Sequence, residues 1–237
     1  MISLTDAARE FGLTLTADQI EAFELYYREL IDWNARFNLT SITERDQVTV
    51  KHFLDSLSIA PILRSLAPTI RLIDIGAGAG FPGIPLKIAL PDLQLTLLET
   101  NGKKVEFLKH VITQLRLYDA TAIQARAEDL AHKSDHREQY GVAVARAVAN
   151  LATLTEYALP FVHIGGLFIA QKGMDVTNEI RQASRALREL GGRVREIARV
   201  QLPGLEQRHL IIIEKIDATP TKYPRRAGIH ERKPLTN

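Results

Sequence analysis

The stretch LIDIGAGAGFPG, residues 72–83, decides the fold. An apolar run broken by one acid, Asp74, ends in glycines at every second position: Gly76, Gly78 and Gly80. That spacing lets a strand turn tightly and brings backbone close to a ligand without Cβ interference. Residues 78–83 also satisfy G-x-G-x-x-G, a weak signal for a nucleotide cofactor when taken alone.

Downstream of this loop, short apolar strands are expected at 70–75, 94–99, 121–124, 142–145, 167–171, 194–202 and 209–214. Helices are expected near 84–90, 103–115, 151–159 and 176–190. Such alternation predicts a mostly parallel α/β sheet covered on both faces. The last two strands are joined around Pro203 and Gly204 with no room for a helix, so the sheet ends antiparallel. That ending separates methyltransferase-like sheets from most dinucleotide-binding ones.

Upstream, Thr16 and Gln19 form a capping-box pattern, and Ile20, Phe23, Tyr27, Leu30 and Ile31 follow at helical spacing. A second helix around 53–62 is interrupted near Pro61, and Ala67-Pro68 breaks the chain. Three segments are expected: a helical extension over 1–67, the sheet domain over 68–217, and a tail over 218–237. With Pro220, Pro224 and Pro234 among five Lys and Arg and one acid, the tail reads as basic and extended, outside the core.

Composition narrows the function classes. The 237 residues carry 30 Lys+Arg against 28 Asp+Glu, so any contact with nucleic acid must come from a local patch. The chain has no cysteine, which excludes disulfides, thiolate metal sites and thiol nucleophiles and fits a reducing compartment. The longest stretch without Asp, Glu, Lys or Arg, 157–171, is fifteen residues and contains Pro160, Gly165 and Gly166, short of the ~20 a membrane helix needs. The N-terminus has no secretory pattern. A cytoplasmic monomer with no membrane contact is expected. His132 and His136 have no third ligand nearby, so no metal site is expected.

Asp74 and Glu99 both fall at strand C-terminal ends, where open α/β sheets bind ligands. A strand-tip carboxylate is a poor neighbour for a pyrophosphate, yet it tolerates the sulfonium and ammonium of S-adenosyl-L-methionine. Glu99 can accept both ribose hydroxyls, as acids do in either cofactor class. The bland alternative makes Asp74 a helix cap and Glu99 a solvated strand end.

Residues 72–86, with LLETNGKK at 97–104, resemble the bacterial 16S ribosomal RNA guanine-N7 methyltransferases, the glucose-inhibited division protein B family. The likeness extends to NLT at 38–40, HFLDSL at 52–57, RAE at 126–128, Arg146-Ala147, Lys172-Gly173, YPRRAG at 223–228 and KPL at 233–235. It departs at Ala145, where many members have Ser. The resemblance implies a Rossmann-like class I methyltransferase sheet, S-adenosyl-L-methionine as cofactor, and 16S ribosomal RNA or the 30S subunit as partner. It implies cofactor contacts at Gly76, Phe81, Glu99, Ala127 and Glu128, with Arg146 near the methyl-transfer end; Asp74 and Gly78, read from the loop itself, are expected to join them in binding the cofactor.

Methylation of pyrimidine C5 usually needs a thiolate, and amine targets usually go with a Pro-Pro-aromatic run; the chain has neither. Guanine N7 has an in-plane lone pair and no proton, so alignment suffices and no general base is required. Arg146 and Asn150, at the end of the fourth strand, are the expected catalytic positioning residues. Lys172, Arg225, Arg226 and Lys233 are expected to meet RNA phosphate. Other N- or O-methyl transfer, a dinucleotide-dependent oxidoreductase, and a non-catalytic nucleotide sensor are the competing readings.

Overall fold

The computed structural model describes residues 3–66, 69–146, 149–173 and 176–236, with Glu231 as backbone only. The expected break at Ala67-Pro68 and the residue Ala147 lie outside them. The chain begins with α1 (Leu4–Glu10), α2 (Ala17–Phe37), α3 (Arg45–Val48), a π-helical turn (Thr49–Leu54), α4 (Asp55–Leu57) and α5 (Ala60–Arg64). There follow β1 (Arg71–Ile75), α6 (Gly83–Ala89), β2 (Gln94–Glu99), α7 (Gly102–Gln114), β3 (Ala120–Gln124), α8 (Ala127–Leu130) and β4 (Tyr140–Arg146). The rest comprises α9 (Leu151–Ala158), a 3-10 turn (Leu159–Phe161), β5 (Val162–Lys172), α10 (Val176–Gln182), α11 (Ser184–Leu190), β6 (Gly192–Val200), β7 (Arg208–Lys215) and α12 (Ile229–Arg232).

The seven strands lie in the order β3-β2-β1-β4-β5-β7-β6. Strands β1 to β5 are parallel, and β7 inserts antiparallel between β5 and β6. Period-two alternation sorts the central residues onto two faces. Leu72, Val142, Val144 and Ile169 pack with Phe23, Tyr26, Leu30 and Leu57 of the N-terminal helices. Ile73, Ala143, Phe168 and Ile211 pack with Leu154, Ala158 and Leu187 on the other face. The N-terminal helices therefore share a core with the sheet. Strand order reverses between β1 and β4, which opens a crevice at their C-terminal ends.

Helix α2 starts with the expected capping box, but Tyr26, not Tyr27, is its fully buried tyrosine. The Tyr26 hydroxyl donates to the Ala79 carbonyl and so ties the helix to the glycine loop. Gly80 in that loop has φ +99, and a Cβ there would stand 2.5 Å from Ile84 Cδ1 and 2.7 Å from the Tyr26 hydroxyl. Only glycine fits.

The extended tail is corrected. Tyr223 and Leu235 are buried in the second core and His230 is wholly buried. Arg137 donates to the carbonyls of Thr219 at 2.7 Å and Tyr223 at 2.9 Å. Arg225 donates to the buried Glu156 carboxylate from its backbone N at 2.8 Å, Nε at 2.9 Å and Nη2 at 2.7 Å. Prolines and charge suggested a solvated strand because sequence alone does not show that carboxylates on the body partner those charges. Removing one member of a buried ion pair strands the other and costs about 3–5 kcal/mol. Arg225→Ala is therefore expected to lower stability by about 3 kcal/mol without any RNA, measured by urea unfolding; an unchanged midpoint would return Arg225 to the solvent.

Candidate functional site

The loop after β1 and the ends of β2 and β4 surround a cavity of about 720 Å³, within the range of small-ligand sites. Of the expected cofactor residues, Gly76, Gly78, Glu99, Ala127, Glu128 and Arg146 line it together. Glu99 is held rigidly. Its Oε1 accepts from the backbone N of Thr100 and Asn101, each at 2.8 Å, and its Oε2 from Gly78 N at 2.9 Å. These donors fix its orientation in the cavity wall, with lone pairs left for hydroxyls.

Asp74 does not line the cavity. It is fully buried beneath the loop, where Oδ2 accepts from Gly83 N at 2.8 Å at the start of α6 and Oδ1 has no hydrogen-bond partner. The helix-cap reading describes it, because β1 points this side chain under the glycine turn. Phe81 is also absent from the cavity lining: its ring packs at 4.4 Å from His52 and 5.3 Å from Tyr26, beneath the Arg146 guanidinium. Asn150 is exposed and caps α9 by accepting from Thr153 N at 3.0 Å. Its expected catalytic position is thus not found.

Arg146 stands at the end of β4 with its side chain 15% exposed. Its Nη1 donates to Asp55 Oδ2 and to the Lys51 carbonyl, both at 3.0 Å. Nη2 lies 3.4 Å from His52 Nδ1. Burial, and then the Arg146 charge, push His52 down to about 4, so its ring is neutral at pH 7. The N-terminal helices thus supply the partners that fix this guanidinium.

Sequence reasoning missed the cavity wall made by Tyr157, Ala227, Gly228 and Arg232. Behind it, His230 Nε2 lies 2.5 Å from the Tyr157 hydroxyl and 3.3 Å from Glu128 Oε1. The clue was the presence of large apolar residues, Tyr223 and Leu235 among them, in a tail rich in charge and proline. Lys172 is largely buried, and its Nζ donates to the Ala149 carbonyl at 2.6 Å and pairs with Glu179 at 2.8 Å. Arg226 and Lys233 are exposed and lie outside the cavity lining. No group of His, Asp and Glu able to hold a metal occurs among the described residues, and none of their helices is long and apolar enough to cross a membrane.

Burial pushes Asp74 up to about 7. A carboxyl whose folded pKa is raised favours the fold while protonated, and that contribution is lost as pH rises from about 4 through about 7. The stability of Asp74→Asn relative to the parent, without cofactor, is expected to improve steadily across that window and then level off. Urea unfolding at pH 4.5, 6 and 8 checks this; a pH-independent difference would contradict it.

A family model described as rRNA small subunit methyltransferase G matches residues 19–211. A relative from Roseiflexus castenholzii with that same description is 48% identical over 99% of this chain and 100% of its own. One from Desulforamulus reducens is 46% identical over 99% of this chain and 98% of its own. Among solved structures, the precorrin-6y C5,15-methyltransferase of Geobacter metallireducens shares the fold, with TM-score 0.50 and 17% identity over 67% of this chain and 87% of that one. The matching sheet, the glycine loop beside Glu99 and these full-length likenesses agree: the chain belongs to the rRNA small subunit methyltransferase G family.

Proposed function

We propose that the protein transfers a methyl group from S-adenosyl-L-methionine to N7 of a guanine in 16S ribosomal RNA, acting on the small subunit in the cytoplasm. The observation that carries this reading is the placement of Glu99 and Arg146 in one cavity, an oriented carboxylate on one side and a half-buried guanidinium on the other. The cavity residues suit that cofactor: Glu99 for the ribose hydroxyls, the Gly76 and Gly78 backbone for close approach, and Ala127 and Glu128 at the far wall for the adenine. Glu99 and Glu128 give the wall an acidic character that favours a cation over a pyrophosphate. When bound, the cofactor supplies a methyl group carried on a positively charged sulfur.

The chain's own residues then have one task, alignment. Guanine N7 presents its lone pair in the plane of the ring and loses no proton on methylation, so no side chain has to act as a base. Neutral His52, stacked on Phe81 beside Arg146, adds no second charge there. Arg146, tethered by Asp55 and the Lys51 carbonyl, retains donors that can meet an acceptor on the purine or a phosphate oxygen. The tethering fixes its geometry in advance, the condition under which positioning contributes most. RNA affinity comes from phosphate contacts with exposed cations, among which Arg226 and Lys233 are well placed. Arg225 and Lys172 are committed to carboxylates inside the protein and contribute less.

Incubation of 30S subunits from a deletion strain with labelled cofactor, followed by mapping of the modified base, tests target and chemistry together. N7-methylguanine in 16S ribosomal RNA is expected; label on another atom or on no RNA would end the reading. Arg146→Ala is expected to cut turnover roughly 100-fold or more while S-adenosylhomocysteine affinity, measured by calorimetry, stays within a few-fold. Intact turnover would remove Arg146 from the mechanism.

A further inference from the structure

A second cavity, of about 300 Å³, lies on the other side of Arg146. It is built from the N-terminal helices and from the adjoining ends of β5 and β7, and Arg146 is the residue its lining shares with the cofactor cavity. We propose that this second cavity is the acceptor pocket, which receives one guanine base turned out of its stack, and that Arg146 marks the seam where the methyl crosses. The inference rests on the methyl-transfer reading above.

Three observations support it. The first is position, since the linings of the two cavities meet at Arg146, which Asp55 and the Lys51 carbonyl hold in place, so a base in the second cavity adjoins the cofactor cavity. The second is size and shape. The volume lies at the low end for small-ligand pockets and is enough for a single base. Ile42 and Leu210 provide apolar surface for the faces of a ring. A base inside a folded RNA must leave its stack to reach such a site.

The third is the polar chemistry of the wall. Gln171 is buried; its Nε2 donates to the Asp55 carbonyl at 2.7 Å, while its Oε1 has no hydrogen-bond partner. An orphaned acceptor is relieved by a ligand that carries N–H groups, and guanine has them at N1 and N2 on the edge opposite N7. Arg146 presents donors toward the other edge, where O6 is an acceptor. Adenine offers an amino group at that position and no N–H at N1, so both contacts disfavour it. The half-buried Arg208 side chain has no hydrogen bond or ion pair among the described residues. It is available, with Lys51 of the same lining, for the phosphate of the extruded nucleotide.

Gly173 lines this cavity, and a Cβ added there meets nothing within 4 Å. A large side chain at this position can therefore obstruct the cavity without displacing backbone. The test uses the full chain and 30S subunits lacking the modification. Gly173→Phe is expected to bind S-adenosylhomocysteine normally and lose roughly 100-fold in kcat/KM. Parent-like methylation by Gly173→Phe overturns the acceptor pocket. Independently of how that variant folds, 6-thioguanine at the target position of the RNA is expected to photo-crosslink the parent protein within 51–55, 171–173 or 208–210. Crosslinks confined to other peptides overturn it as well. If the parent protein methylates no small-subunit guanine at all, the underlying function fails; if it does and the crosslinks fall elsewhere, only the pocket fails.

Discussion

A guanidinium held at the reversal point of the sheet is the constraint around which the rest is arranged. Arg146 ends β4 in an apolar setting, where an unpaired charge would be costly. The compensation comes from a distant part of the chain: Asp55 and the Lys51 carbonyl, presented by the π-helical turn and α4. Beneath it, the Phe81 ring offers its face at 5.1 Å to the guanidinium carbon. The glycine loop, the N-terminal helices and β4 must all be in place before this charge is satisfied. Packing of the extension and readiness of the site are therefore one event.

The cofactor cavity is closed by the opposite end of the chain. Residues 227, 228 and 232 form one wall because Tyr223, His230 and Leu235 sink into the second core and Arg225 neutralises Glu156. Lys215, also wholly buried, reinforces the turn before the tail by donating to the Leu159 carbonyl at 2.7 Å and pairing with Glu138 at 3.2 Å. Burial lowers its pKa to about 8. The basic character of the C-terminal segment thus has mixed uses: some charges anchor it, and Arg226 and Lys233 are left at the surface.

Much of this was legible from residues. The glycines at 76, 78 and 80 and the acid at 99 announced a crevice at strand ends, because period and turn chemistry are local properties. The antiparallel ending followed from the absence of helix-length sequence between β6 and β7. What escaped reading depends on which way a side chain points and what comes to meet it. Asp74 and Glu99 look alike as strand-end acids, yet one is folded under the loop and the other faces the cavity. Asn150 looked catalytic because it follows Arg146 closely, and it serves instead as a helix cap. Glu156, a single charge on the apolar helix α9, was the available hint that something basic would arrive, and it pointed to Arg225.

Asp55 acts on the reaction by holding Arg146 in place. A double-mutant cycle in methylation rate on 30S subunits, using Asp55→Ala, Arg146→Ala and the pair, tests it most directly. Strong coupling is predicted: the double variant is no slower than Arg146→Ala alone. Losses that multiply independently would show that the two residues serve separate ends and would contradict the arrangement described above.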